Sequence, residues 1–432
     1  MRYSPIDSTF FIENRKRFVN HLKPQSVAVF HSNDEFPRNG DQNFPYRQNS
    51  DLFYLTGIEQ EKTVLLFVPN HKNENLREIL FILKPDESIT IWQGHKLTEL
   101  EATAISGIKT IMFLEKFENL FFEILKITEN IFLNINENAR FSSEVPYKDI
   151  RFAEEIELKF PNFTIERCSS IMQKLRVIKS PVEIGLMQKA CRITSETFKE
   201  VVQMIQPGMM EYEIEAEITH GFFRRGANAH AFSPIVASGA NATSLHYISN
   251  DKPCRNGELV LMDFGAEYAN YPADMSRTVP VNGKFNKRQK ECYNAVLRVM
   301  KQTKKMMVVG NTIENYHNEV CKLMEEEMIK LGLFTLEDVK IQDPQMPLFK
   351  NYFMHGVSHF IGLDVHDLGS KTEALREGMV LSCEPGIYIR EEGIGIRIED
   401  DILITEKGPI NLFGNAFLEI EEIEELMNNS KK

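Results

Sequence analysis

The chain has 432 residues, of which 42% are hydrophobic and 26% charged, a composition that is ordinary for a globular protein. A chain of this length is too long for one hydrophobic core and indicates two or more domains. Its net charge of -12 argues against nucleic acid as a main partner, because phosphate binding needs a basic surface. The chain has no run of 18 apolar residues, so we expect no membrane-spanning segment.

The cysteines and the N-terminal sequence predict a cytoplasmic protein. The six cysteines form no CxxC pair and no spaced framework, which is typical of reduced thiols inside a cytosolic protein. The N-terminal stretch MRYSPIDSTFFIENRKRF also lacks the apolar core of a signal peptide.

Short apolar runs alternate with helical patterns over roughly the first 170 residues. The runs predict buried strands at 26–30, 63–68, 79–83, 110–114 and 130–135. Amphipathic helices are predicted at 8–22, 116–127 and 146–160. This alternation indicates an α/β domain with a mostly parallel or mixed sheet, and few catalytic groups gather in it.

A domain boundary is predicted near residues 170–180, dividing the chain into 1–172 and 173–432. There Ser180 can cap a helix, Pro181 suits its first position, and Glu183 completes a capping box. Further helices are predicted at 211–225, 286–308 and 312–331. The second domain therefore reads as a helix pair and a β segment, followed by another helix pair and β segment.

Five potential metal ligands follow one another in these two β segments: Asp263, Asp274, His359, Glu384 and Glu399. Four carboxylates and one imidazole are too many charges to bury without cations, and they suit two divalent ions that share bridging carboxylates. A carboxylate-rich set with one histidine and no thiolate favours Mn²⁺, Fe²⁺, Co²⁺ or Zn²⁺. Taken singly, Asp263 could cap a turn and Glu399 could form a simple ion pair with Arg397.

Three histidines, His355, His359 and His366, lie within twelve residues and are interleaved with glycines. A single histidine is more often a core or surface residue than a ligand, but this cluster indicates a site that the backbone approaches closely. The spacing matches neither a zinc finger nor an HExxH motif.

Several stretches together closely resemble the Xaa-Pro aminopeptidases (aminopeptidase P) of the pita-bread metallopeptidase family. They are FPYRQNSDLFYLTGI (44–58), SGANATSLHYISND, LVLMDFGAEY, ADMSRTVPVNGKF, MHGVSHFIGLDVHD, EPGIY and GIGIRIEDDI. The resemblance covers nearly the whole chain. It implies an α/β, creatinase-like N-terminal domain and an α+β pita-bread catalytic domain with pseudo-twofold halves.

The resemblance also implies a two-metal centre, most often loaded with Mn²⁺. Asp263 would chelate one ion, Asp274 and Glu399 would bridge, and His359 and Glu384 would complete the second ion. A bridging water or hydroxide would attack the scissile carbonyl, with Glu384 as the proton carrier.

Further site residues follow from the same resemblance. His246 and His366 would contact the scissile carbonyl and the developing tetrahedral centre, and His355 would lie near the substrate's proline. Arg397 would orient ligand carboxylates. Tyr388 is similar to a tyrosine that supports the family's site.

Trp92, in TIWQGHKL, resembles a segment that reaches a neighbouring subunit's cleft, a role that needs a dimer or tetramer; alternatively it is a packed surface aromatic. The stretches between His366 and Glu384 and between Glu384 and Arg397 are shorter than in longer bacterial members. These loops would border the mouth of the cleft and bear on substrate length.

The implied activity is removal of the first residue from peptides that have a free N-terminus and proline in second position. One alternative is a proline dipeptidase, which has the same metal set and a cleft closed to longer peptides. The other is a non-enzymatic relative that binds peptides or proteins, although such relatives lose ligands that this chain keeps.

Overall fold

The computed structural model describes residues 2–138, 140–414 and 417–429. The chain divides into two compact units, one of residues 3–176 and one of residue 2 with residues from 177 onward. None of the described helices is long and apolar enough to cross a membrane. All six cysteines are free thiols, and five of them are buried.

The first unit alternates helices and strands. Its helices are α1 Ser8–Val19, α2 Ser50–Thr56, α3 Glu87–Gln93, α4 Glu99–Ser106, α5 Phe117–Leu125, α6 Lys148–Lys159 and α7 Ser169–Arg176. Its strands are β1 Ser26–His31, β2 Pro37–Asn39, β3 Gln42–Asn43, β4 Val64–Phe67, β5 Glu78–Ile82, β6 Thr110–Phe113, β7 Asn130–Leu133 and β8 Thr164–Arg167.

Six of these strands form a mixed sheet in the order β6-β5-β4-β1-β7-β8. Only β4 runs against its neighbours, because it pairs antiparallel with β1 and β5 while the other pairs are parallel. The five predicted strands are confirmed, and so is the mixed sheet. The predicted helix over 8–22 ends earlier, at Val19, and the short helices α2, α3, α4 and α7 were not predicted.

The second unit contains two helix pairs separated by β segments. Its helices are α8 Pro181–Met204, α9 Glu211–Arg224, α10 Lys287–Met306, α11 Ile313–Lys330, α12 Leu336–Ile341 and α13 Ile420–Asn429. Its strands are β9 Ala229–His230, β10 Ile235–Ser238, β11 Leu259–Phe264, β12 Ala266–Tyr268, β13 Tyr271–Pro272, β14 Met275–Pro280, β15 Val380–Cys383, β16 Gly386–Ile389, β17 Ile394–Arg397, β18 Asp400–Leu403 and β19 Ile410–Asn411.

Local signals set the helix starts in this unit. Ser180 and Glu183 form the predicted capping box at the start of α8. Asn286 and Gln289 form an equivalent box at the start of α10. The four predicted helices and their alternation with β segments are confirmed.

Two antiparallel sheets position the acidic residues, with strand orders β10-β11-β14 and β15-β18-β19. In the first sheet, Asp263 of β11 stands opposite Ser276 of β14. The chain between these strands passes so close to itself that a Cβ on Gly265 would lie 1.6 Å from the carbonyl oxygen of Ala273. Only glycine fits there, so this glycine allows the two strands to carry Asp263 and Asp274 into one region.

Candidate metal centre

The backbone around His359 is held against β15 like an additional strand. The amide N–H of Ser382 donates to the carbonyl of His359 (2.9 Å), and Ile361 donates to Val380 (3.1 Å). The amide N–H of Glu384 donates to the carbonyl of Val357 (3.0 Å). This pairing brings His359 and Glu384, which are 25 positions apart in the chain, to the same edge.

The tautomer of His359 follows from one backbone contact. Its Nδ1 lies 3.0 Å from the carbonyl oxygen of Phe360, which can only accept, so Nδ1 carries the proton. The lone pair of Nε2 then faces carboxylate oxygens of Asp274 at 3.4 Å, Glu384 at 3.7 Å and Glu399 at 4.0 Å. A neutral imidazole with its lone pair among carboxylates is suited to bind a cation.

Three of the five predicted ligands form one compact donor group. Donor atoms of Asp274, His359 and Glu399 all lie within 4.8 Å of one another, and all three residues are buried. Glu384 borders this group through His359. Asp263 is linked to it through Arg397, whose Nη2 donates to Asp263 Oδ2 at 2.6 Å.

The electrostatics of the group favour bound cations. Burial, and then the nearby carboxylate of Glu399, raises the pKa of Asp274 well above its usual range. Burial, and then the charges of Glu384 and Asp263, raises the pKa of Glu399 in the same way. Oδ1 of Asp263 is buried and has no hydrogen-bond partner among the described residues. The buried negative charge of these carboxylates is therefore not fully compensated within the protein. Divalent cations would compensate it, and the donor set fits such ions.

A chain of hydrogen bonds joins Arg397 to the histidine cluster. Arg397 Nη1 donates to the hydroxyl of Tyr388 (2.8 Å), which lies 2.9 Å from Nε2 of His355. Nδ1 of His355 lies 2.9 Å from the carbonyl oxygen of Gly356, so the proton sits on Nδ1 and the tyrosine donates to Nε2.

His355 is consequently neutral. Burial, followed by the positive charge of Arg397, lowers the pKa of His355 to about 3. Burial also raises the pKa of Tyr388 to about 12, so its hydroxyl keeps the proton that it donates.

Ser276 is a site residue that the sequence did not reveal. Its hydroxyl donates to Glu399 Oε2 (2.8 Å) and accepts a hydrogen bond from Arg397 Nε (2.8 Å). Arg397 lies closer to Asp263 than to Glu399, which is 4.0 Å away, so the arginine is more than a simple partner of Glu399. Strand alternation could have indicated Ser276, because it lies two positions after the predicted ligand Asp274 and residues two apart in an extended chain share a face.

Glu211, the first residue of α9, is a second unpredicted residue. It is buried, and it accepts hydrogen bonds of 2.7 to 2.9 Å from Ser238 N, Asn241 Nδ2, Tyr247 Oη and Lys252 N. These donors enclose the segment that carries His246. Nothing in the sequence around Glu211, which directly follows Met209 and Met210, indicated these long-range hydrogen bonds.

The remaining predicted residues lie in different surroundings. The ring of His366 lies edge-to-face against that of His359, with 4.5 Å between centroids. Trp92, in the first unit, is 85% exposed, so its side chain does not pack against the described part of the chain. Cys383, beside Glu384, is fully buried.

Comparison with known proteins identifies the relatives of both units. The model of metallopeptidase family M24 matches residues 185–406, and that of the aminopeptidase P N-terminal domain matches residues 11–132. The Xaa-Pro aminopeptidase of Haemophilus influenzae is 35% identical over 97% of this chain and 97% of its own length. The Escherichia coli Xaa-Pro aminopeptidase is 34% identical over 99% and 100%.

Solved structures agree with these sequence relatives. Zinc-substituted E. coli aminopeptidase P in complex with product has a TM-score of 0.89 at 33% identity, covering 99% of this chain and 100% of that one. The same enzyme with the inhibitor Pro-Leu gives the same values. The predicted fold class, an α/β N-terminal domain with a pita-bread catalytic domain, is thereby confirmed. The chain belongs to metallopeptidase family M24 and, within it, to the Xaa-Pro aminopeptidases.

Proposed function

We propose that this enzyme removes the N-terminal residue from peptides with proline in second position, using divalent metal ions. The relatives that match nearly the whole chain are named for this activity. The observation that carries the proposal is the buried group of Asp274, His359 and Glu399, whose donor atoms converge within 4.8 Å.

The proposed domains are an N-terminal creatinase-like domain, residues 1–172, and a catalytic domain, residues 173–432. The border between the compact units, after Arg176, supports this division. So do the two family matches, which end at residue 132 and begin at residue 185.

The proposed ligands are the five predicted residues, Asp263, Asp274, His359, Glu384 and Glu399, and the proposed cofactor is a pair of Mn²⁺ ions, with Zn²⁺, Co²⁺ and Fe²⁺ as alternatives. Oxygen-rich donor sets with one imidazole suit these ions. Bound ions would polarise the scissile carbonyl and lower the pKa of water.

Hydrogen bonds within the protein orient the proposed metal ligands. Nδ1–H of His359 is held by a backbone carbonyl, which directs Nε2 to the site. Arg397 holds Asp263 directly and, through Ser276, holds Glu399. Catalytic residues that are fixed in this way lose little orientation freedom on binding substrate.

Glu384 is the proposed proton carrier. Its Oε1 accepts a hydrogen bond from the Ser382 hydroxyl (3.2 Å), and its Oε2 lies 3.6 Å from His355 Nδ1. The carboxylate is only partly buried, so a proton can leave it towards the cleft. His246 and His366 are proposed to contact the scissile carbonyl and the tetrahedral centre, and His355 to lie beside the proline.

The chemistry suits an Xaa-Pro bond. This bond is a tertiary amide without an N–H, so peptidases that grip that N–H cannot use it. Recognition here would depend on the free amine, next to Asp263, and on the carbonyl. Trp92 is proposed to reach the cleft of a neighbouring subunit in a dimer or tetramer, and its high exposure supports this role.

The test compares Xaa-Pro-Yaa peptides with Xaa-Pro dipeptides, each with and without added Mn²⁺. We expect metal-dependent release of the first residue from the longer peptides. N-acetylation, or alanine in place of proline, should stop cleavage because each removes a contact that positions the carbonyl. Cleavage of dipeptides alone would establish a proline dipeptidase, and a metal-loaded protein that cleaves neither would be a binding protein.

A further inference from the structure

A cavity of about 840 Å³ lies within the first unit, at the edge of its mixed sheet. Its wall includes residues 31–35 at the end of β1, residues 83, 84 and 86 after β5, and residues 113–115 at the end of β6. These three strands are parallel, so the cavity lies outside their carboxyl ends. Its volume is within the range of small-molecule sites.

The cavity also borders the end of β1, the strand at which the strand order reverses. From β1 the chain builds the sheet in one direction through β4, β5 and β6, and in the other through β7 and β8. In open α/β sheets, ligands bind in the crevice that forms outside the strand ends at such a switch point. His31, the last residue of β1, stands there in the cavity wall.

His31 carries a polar atom without a partner. The residue is 2% exposed, and its Nδ1 lies 2.8 Å from Oδ1 of Asp149 at the start of α6. A carboxylate only accepts, so the proton resides on Nδ1 and Nε2 is left as an acceptor. Nε2 is buried and has no hydrogen-bond partner among the described residues. A buried polar group without a partner in a folded protein calls for an explanation.

Aromatic rings form much of the remaining wall: Phe113, Phe117, Phe121, Phe122 and Phe152. The His31 ring packs edge-to-face against Phe152, with 4.5 Å between centroids, and lies 6.1 Å from Phe117. Lys84 Nζ lies 5.9 Å from the centre of the Phe113 ring, so this ring already faces a cation. Such a wall suits an apolar body and tolerates a positive charge against its faces.

The charged lining is predominantly acidic, with seven carboxylates and four basic side chains. Two of the basic groups are paired with lining carboxylates, Arg151 with Asp34 (2.7 Å) and Lys62 with Glu35 (3.5 Å). Two other lining carboxylates, Glu61 and Glu155, form ion pairs with Lys96 and Lys159, which lie outside the lining. The negative charge that remains includes Glu115 and Glu118 at the exposed rim, and it favours a cationic ligand.

We propose that this cavity binds a small organic amine, in which a protonated amino group is attached to an aromatic or aliphatic body. The apolar body lies among the phenylalanine rings, and the ammonium group donates to carboxylates of the lining. The site is separate from the metal centre in the chain, and the proposal does not depend on the peptidase activity.

The probe is 2-phenylethylammonium, titrated into the full-length, metal-loaded protein by calorimetry and ligand-observed NMR. Phenylacetate and 2-phenylethanol provide an anion and a neutral alcohol of similar size. We expect a dissociation constant of about 1 mM or lower for the amine, which is reasonable for a ligand of this size. The alcohol should bind more weakly, and the anion should not bind.

Variants connect this binding to the cavity. Removing the rim charges in Glu115→Gln/Glu118→Gln should weaken amine binding about threefold to tenfold, the scale for two exposed charges. The matched control Glu123→Gln/Glu154→Gln removes two exposed charges from α5 and α6 that do not line the cavity, and should bind normally. Peptide hydrolysis should be unchanged in both pairs.

The proposal is overturned if 10 mM amine gives no binding or if phenylacetate binds as well. It is also overturned if the rim and control pairs behave alike, because the amine would then be held elsewhere, as in the catalytic cleft.

Discussion

Ser276→Ala is the sharpest test of how the metal ligands are held. The change removes the hydroxyl that donates to Glu399 and accepts from Arg397, both at 2.8 Å. A hydrogen bond to a charged group contributes about 1.5–3 kcal/mol, and about 1.4 kcal/mol corresponds to a factor of ten. Because part of this loss also affects the metal-free state, we expect metal affinity to fall about tenfold to a hundredfold.

The assay is a competition titration of the metal against a chelator of known affinity, followed by peptide hydrolysis at saturating metal. Ser276→Thr keeps a hydroxyl and should restore most of the affinity. Ser106→Ala removes another fully buried serine hydroxyl, in the first unit, and should leave metal affinity unchanged. Wild-type affinity in Ser276→Ala would refute the idea that this hydroxyl positions Glu399.

Four further results are expected. Asp274→Ala should abolish activity and lower metal content below two ions per chain; two bound ions with normal turnover would contradict its bridging role. His366→Ala should keep both metals and reduce kcat about 10²–10³-fold, the scale for losing one transition-state hydrogen bond, whereas metal loss would mean that it is a ligand. Glu211→Ala should lower both thermal stability and kcat, because the four hydrogen bonds of Glu211 hold the segment around His246. The conservative Glu211→Gln should recover part of each. A Glu211→Ala variant that loses stability but keeps its kcat would show that Glu211 is purely structural. Metal affinity should rise with pH, because the pKa values of Asp274 and Glu399 are raised and their protons must leave before a cation binds; a flat profile in chelator titrations would contradict this.

Features that depend on neighbours in the chain were accessible from the sequence. The capping box of Ser180 and Glu183 predicted the start of α8, since a cap needs only residues three positions apart. Apolar runs likewise predicted the sheet strands of the first unit, because fully buried strands need continuous apolar sequence. The helices α2 and α3 escaped notice because each spans only seven residues, too few for a periodic pattern.

By itself, the sequence determined the family and the chemical character of the site, because the ligand types and their motifs are local properties of short segments. Only the tertiary structure decided which side chains meet. Arg397 bonds to Asp263 across 134 positions, Ser276 to Glu399 across 123, and His31 to Asp149 across 118. No periodicity encodes such pairs, since they depend on strand register and on packing that brings distant segments to one edge. Once the chain is folded, burial makes each of these contacts necessary, because a polar group removed from water must find its partner inside the protein.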